Sequence, residues 1–208
     1  MCGIVGYVGE KEATPILINS LKKLEYRGYD SSGIAIINSC WHDSCNATEP
    51  IIVRKCKGAI KFLEEKIESE LVKGAIHGNV GIAHTRWATH GEPSDLNAHP
   101  HTDVSGTIAV VHNGIIENYS ELKAWLQSKG VVFKSQTDTE VIAHLLNYFY
   151  TQTADGGHDS RKTRGDIFAS VRAATQKLVG SYALGVVCRD FPDRLICARK
   201  ESPLIVGL

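Results

Sequence analysis

What most limits the fold of this chain is the order in which strand-like and helix-like patterns follow one another. Short β-rich runs recur at GIVGYV, IAIIN, VGIAH, TIAVVH, YALGVVCR, RLICA and PLIV, most of them bounded by glycine, asparagine or proline. Between them, apolar residues three and four apart predict helices: Ile60, Leu63, Ile67 and Leu71; Leu122, Trp125 and Leu126; Ile167, Val171, Ala174 and Leu178. Asn118 with Glu121, and Thr137 with Glu140, have the spacing of a capping box and predict two helix starts. The order runs β, α, β, α, then strands, two helices in succession, a third, and closing strands. A doubly wound parallel sheet needs a crossover helix after each strand, which this order does not supply. Hairpins packed with helices, an α+β fold, fit better.

The 208 residues, 43% of them hydrophobic, suffice for one substantial core, so a single domain over 1–208 is expected. SCWHDSCNATEP (39–50) and TQTADGGHDSRKTRG (151–165) are polar and aperiodic and read as surface insertions. The closing PLIVGL ends on an apolar strand pattern, as though the natural polypeptide continued. Lys+Arg and Asp+Glu are both 23, which gives no electrostatic reason to expect nucleic acid or an anionic membrane as partner. A small ligand is expected instead. No run approaches a membrane span and the start has no secretory pattern, so a cytoplasmic protein is expected. Six cysteines are too sparse for a disulfide scaffold and read as thiols.

Four short segments carry the chemistry. Cys2 sits directly behind the initiator methionine, and removal of Met1 would give it an α-amine titrating near 7.7 to 8.0. A thiol and a base would then share one residue. The alternative is a small residue opening a strand. In GIAHTRWATHGEP (81–93), Arg86, Trp87, Thr89 and His90 suit an anion lid, with Arg86 as a planar fork for a carboxylate; the alternative is a surface arginine beside a core tryptophan. In VVHNGIIEN, Asn113-Gly114 reads either as a hairpin turn or as an amide and an N–H directed at one point, an oxyanion hole. In SQTDTEVIAHL, Asp138 falls in the first turn of a helix whose inward face is Val141, Ile142, Leu145 and Leu146. It reads either as a partner of the helix dipole or as a site for an ammonium group. Together these groups describe a site for an amino acid with a side-chain amide.

CGIVGYVG, LEYRGYDSSGIA, GIAHTRWATHGEP, HNGIIENY and SQTDTEVIAHL, in this order, resemble the glutaminase domain of the glutamine:fructose-6-phosphate amidotransferase family. The likeness spans the chain apart from the two insertions. LEYRGYDSSG and TRWATHG separate it from the related phosphoribosylpyrophosphate amidotransferases, whose versions are LQHRGQ-like and TRYST-like. The resemblance implies the N-terminal nucleophile hydrolase fold, a four-layer αββα sandwich of two antiparallel sheets. It implies Cys2 as nucleophile, Asn113 and Gly114 as the oxyanion hole, Arg86 and Asp138 as partners of the glutamine α-carboxylate and α-ammonium, and Trp87, Thr89 and His90 around the pocket. Arg27 is expected near the nucleophile. Further implications are L-glutamine as substrate, no cofactor, and a sugar isomerase domain acting on fructose 6-phosphate elsewhere in a longer, homo-oligomeric enzyme.

Two other readings compete. Five histidines (His84, His90, His99, His101, His112) crowd a short span, and Cys40, His42, Cys45 and Cys56 form a looser group, but neither has a recognisable metal-ligand spacing. A non-catalytic amino-acid-binding relative of the same fold, or a peptidase of that fold, is the other.

Overall fold

The computed structural model describes residues 2–39, 49–72, 76–88, 91–155 and 165–207. In chain order the elements are β1 (Gly3–Val8), α1 (Ala13–Leu24), a single 3-10 turn (Glu25–Arg27), β2 (Ser31–Ile37), β3 (Ile51–Lys57), α2 (Ile60–Val72) and β4 (Val80–Arg86). There follow β5 (His101–Thr102), β6 (Ile108–Ile116), α3 (Tyr119–Ser128), α4 (Thr139–Asp155), α5 (Ile167–Thr175), β7 (Gly180–Cys188) and β8 (Ile196–Lys200). They form two four-stranded sheets, ordered β1-β4-β2-β3 and β5-β6-β7-β8, and every strand pair is antiparallel.

Side-chain alternation explains the layering. All seven residues of β2 are buried, which requires cover on both faces. Ile34 and Ile36 meet Leu17 and Leu21 of α1 and Ile60, Leu63 and Ile67 of α2. Ala35 and Ile37 point the other way, to Ile82 of β4 and to Ala109, Val111 and Val187 of the second sheet. On the far side of that sheet, Val141, Ile142, Leu145 and Leu146 of α4 pack with Ile167, Val171 and Ala174 of α5 against Ile108, Val110 and Leu184. The result is the expected α, β, β, α stack. Among the described residues no helix is long and apolar enough to cross a membrane.

Several local expectations are corrected. The strand over Ile51–Lys57 was not legible, because it is an edge strand whose apolar run gives way to polar residues after the first three positions. Its Arg54 is instead tied to α2 by Nε and Nη2 bonds of 2.6–2.9 Å to the Glu70 carboxylate. PLIV forms no strand; Ile205 and Val206 are exposed, and an apolar β pattern without a partner strand has no ladder to join. Helix α4 runs on through residues 151–155, which the sequence pattern places in the second insertion, and residues 40–48 and 156–164 lie outside the described residues.

Neither capping box forms. The Asn118 side chain accepts from Val179 N (3.0 Å) and donates to Lys177 O (2.9 Å), pinning the start of α3 to the entry of β7. Thr137 lies two residues ahead of α4, and its hydroxyl bonds His101 Nε2 (3.0 Å) and Ser135 Oγ (3.0 Å). The Glu140 carboxylate accepts from Lys134 N and Ser135 N.

Candidate active site

The site lies where the two sheets meet at one end. In the first sheet, Gly3 pairs with Thr85, and the register therefore brings Cys2, one residue beyond the ladder, beside Arg86. Gly3 N also donates to Thr85 Oγ1 at 3.2 Å. The half-buried Cys2 sulfur accepts from Trp87 N at 3.2 Å and lies 3.5 Å from Trp87 O. The chain leaving β4 is held by the turn that precedes β2. Asp30 Oδ2 accepts from Ala88 N (2.8 Å), Asp30 N donates to Arg86 O (3.1 Å), and a Cβ on Gly28 would fall 2.8 Å from the Arg86 carbonyl carbon. That close approach explains a glycine in the middle of YRGYD. Arg27, in the same turn, directs Nε to the Tyr26 hydroxyl (3.1 Å) and does not line the cavity that contains Cys2.

The second sheet answers the question that Asn-Gly raised. Asn113 and Gly114 are not a turn: β6 runs straight through them, Asn113 opposite Ala183 and Gly114 opposite Tyr182. Gly114 has φ +124°, and a Cβ there would meet Ser181 O at 2.1 Å, so only glycine fits. Glu117 N donates to Val179 O, which fixes the parity of the ladder and turns alternate N–H groups away from β7. Ile116 N and His112 N belong to that set and find Asp138 Oδ2 (3.0 Å) and His99 Nδ1 (3.4 Å) on the other side. Gly114 lies between them in the same series and lines the cavity. The Asn113 amide reaches across to the first sheet, Oδ1 2.9 Å from His84 Nε2 and Nδ2 donating to Cys2 O at 3.2 Å.

Asp138 immediately precedes α4 rather than falling in its first turn. It is 7% exposed, takes the Ile116 N–H, and sits 3.9 Å from His112 Nδ1. Arg86 is also buried, and its Nη2 donates to Gly91 O at 3.1 Å. Burial lowers the Arg86 pKa below its usual value, opposed by its neighbours Cys2, Asp30 and Asp138. Trp87 is 44% exposed and meets Tyr29 edge to face at 5.5 Å. Thr89 and His90 lie outside the described residues.

Cys2, Arg86, Trp87, Asn113, Gly114 and Asp138 thus border one cavity, together with Thr137, Thr139 and three histidines. The histidines are packed rather than solvated. His84 and His99 stack at 4.1 Å, and His99 meets His101 at 5.0 Å. Burial, the largest cause for each, takes His84 down to about 3 and pushes His99, His101 and His112 below the ordinary value. Among the described residues, no group of three or more histidines, cysteines or carboxylates is placed to hold a metal ion. A thiol, an amide donor, a guanidinium and a carboxylate around one opening can bind a zwitterion by its two charged ends and present a carbonyl to sulfur. Sequence reasoning gave Asp30 no role and weighed His84 only as one of a histidine cluster. Yet His84 follows Ile82 at the strand spacing that would have turned it toward the second sheet.

Residues 84–207 match a family profile described as a glutamine amidotransferase domain. Over all 208 residues the chain is 54% identical to the glutamine–fructose-6-phosphate aminotransferases (isomerizing) of Clostridium tetani and Clostridium acetobutylicum, and 47% identical to that of Bacteroides thetaiotaomicron. It spans 30% of the length of each of these relatives. The glutamine phosphoribosylpyrophosphate amidotransferase from B. subtilis, complexed with ADP and GMP, superposes with a TM-score of 0.66 at 26% identity, covering 91% of this chain and 35% of that one. A second solved structure, described as the allosteric regulatory enzyme of purine biosynthesis, gives 0.67 at 25% identity, over 91% of this chain and 36% of its own. The two packed antiparallel sheets between helical layers are the N-terminal nucleophile hydrolase fold, and the chain belongs to the class II glutamine amidotransferase domain family.

Proposed function

We propose that this domain hydrolyses the side-chain amide of L-glutamine to glutamate and ammonia. We propose further that, within a longer polypeptide, the ammonia serves a sugar isomerase domain that converts fructose 6-phosphate to glucosamine 6-phosphate. The observation that carries the first step is the convergence on one cavity of Cys2 and Arg86 from the first sheet, Asn113 and Gly114 from the second, and Asp138 from the approach to α4. The second step rests on the full-span identity of 54% to the fructose-6-phosphate enzymes, against 26% to the phosphoribosylpyrophosphate amidotransferase structure.

Once Met1 is removed, the Cys2 α-amine takes the thiol proton and the sulfur attacks the amide carbon. The carbonyl oxygen becomes an oxyanion between the Asn113 Nδ2–H and the Gly114 N–H. The protonated amine then gives its proton to the leaving nitrogen, ammonia departs, and a γ-glutamyl thioester remains. Water, losing a proton to the same amine, attacks the thioester. The thiolate leaves and recovers the proton, and glutamate is released. Arg86 holds the α-carboxylate and Asp138 the α-ammonium, which fixes the side chain in line with sulfur.

The test is ammonia and glutamate release from L-glutamine, with L-asparagine as control, on protein whose intact mass places Cys2 at the terminus. Equal release of both products from glutamine, and little from asparagine, is expected. A chain that binds glutamine without cleaving it would be a binding module instead.

A further inference from the structure

We infer that His84 is a positioning residue that sets which end of the Asn113 amide faces the nucleophile. The inference rests on the glutaminase reading above and deepens it, because an oxyanion hole made by an asparagine works only if nitrogen, and not oxygen, points at the developing charge.

The chain of hydrogen bonds leaves one arrangement. His84 is fully buried on β4, and its Nε2 lies 3.1 Å from the His112 carbonyl oxygen and 2.9 Å from the Asn113 side chain. A backbone carbonyl can only accept, so Nε2 carries the hydrogen. The Asn113 atom sharing that hydrogen must then be its oxygen, which turns Nδ2 toward Cys2. There one of its two N–H bonds meets another atom that can only accept, Cys2 O at 3.2 Å, and the second is left for the substrate.

The histidine is itself held in place. Its ring stacks on His99 at 4.1 Å, and its Nδ1 is buried with no hydrogen-bond partner among the described residues, as suits the bare nitrogen of this tautomer. With no donor at position 84, the amide is held at one end only and can turn its oxygen toward the cavity, where it would repel the oxyanion.

Three variants and one cycle test this on the chain with Cys2 at its terminus, each rate expressed per folded protein from a thermal melt. His84→Leu removes the donor, and kcat is expected to fall about 10- to 100-fold, less than the loss of a whole oxyanion donor, with KM and L-glutamate affinity changed less than about threefold. His84→Gln places an amide N–H near the Nε2 position and should restore kcat to within about fivefold of the parent; His84→Asn is too short and should not. If His84→Leu does not fold, this Gln and Asn pair decides the matter.

In the cycle, adding His84→Leu to Asn113→Ala should slow the enzyme no further, because the group through which His84 acts is gone. Multiplying losses, a loss confined to KM, or a folded His84→Leu with unaltered kcat would each overturn the inference. Inactivity of the unmodified chain toward glutamine would instead overturn the glutaminase reading on which it stands.

Discussion

The two sheets contribute to the site in opposite ways. From the first come Cys2, Arg86 and Trp87, all at or beyond the ends of β1 and β4, positioned by contacts with a neighbouring turn and with Trp87 partly in solvent. From the second come Asn113 and Gly114, in the middle of a nine-residue strand that is paired with β7 along its whole length. A nucleophile has to meet a substrate and to move between thiol, tetrahedral intermediate and thioester, so a strand end suits it. Donors that stabilise a charge present only in the transition state work best when they need not reorganise, and a ladder with a fixed register provides that.

The sharpest way to break this contrast is at the strand end. Cys2→Ala should leave no detectable ammonia release while glutamine binding persists, since Arg86 and Asp138 are untouched; turnover above background would mean that the sulfur is not the nucleophile. On the ladder side, Asn113→Ala should lower kcat by about 10²–10³-fold with little change in melting temperature. Near-parental kcat there would remove the second sheet from the chemistry.

A third effect is expected in stability rather than rate, because buried histidines are packed where the two sheets meet. His84, His99, His101 and His112 have folded-state pKa values below the unfolded value near 6.5. Their contribution is complete above about pH 6.5 and is lost as pH falls toward the folded values, by up to about 1.4 kcal/mol per pH unit for each group. Thermal melts should therefore decline between about pH 6.5 and 5, before Glu140, held down to about 2, comes into play. A melting temperature flat across that range would show that these histidines are not buried in neutral form.

The smallest effect belongs to the softer region. Asp30→Ala removes the acceptor for Ala88 N and should raise KM about fivefold, equivalent to about 1 kcal/mol, with kcat nearly unchanged. A kcat loss as large as that of Asn113→Ala would mean that the loop after β4 is part of the fixed machinery.

What the sequence revealed follows the same division. The α+β class was legible because periodicity reports burial, and β2, α4 and α5 bury the residues that their patterns pick out, whereas the four-layer stacking came from the family resemblance. The edge strand β3 and the terminal PLIV were misjudged in opposite directions, because pairing at a sheet edge depends on a neighbour that local composition does not encode. Asn113-Gly114 shows the same limit within a motif. Locally the pair is the strongest hairpin signal, yet a long β7 partner holds the chain extended through it, and only the three-dimensional register removes the turn. Arg86 and Asp138 could be picked out by residue type, whereas the His84–Asn113 contact, 29 residues apart in sequence, could not.

The central claim is that the Cys2 sulfur, in the cavity that Asn113 also lines, becomes acylated by glutamine. Acid-quenched mass spectrometry during steady-state turnover tests it most directly. The expected result is a fraction of chain heavier by one γ-glutamyl group, located on the Cys2 peptide, sensitive to hydroxylamine and absent in Cys2→Ala. Glutamate and ammonia formed at full rate with no acyl group on Cys2, or with the group on another residue, would contradict it.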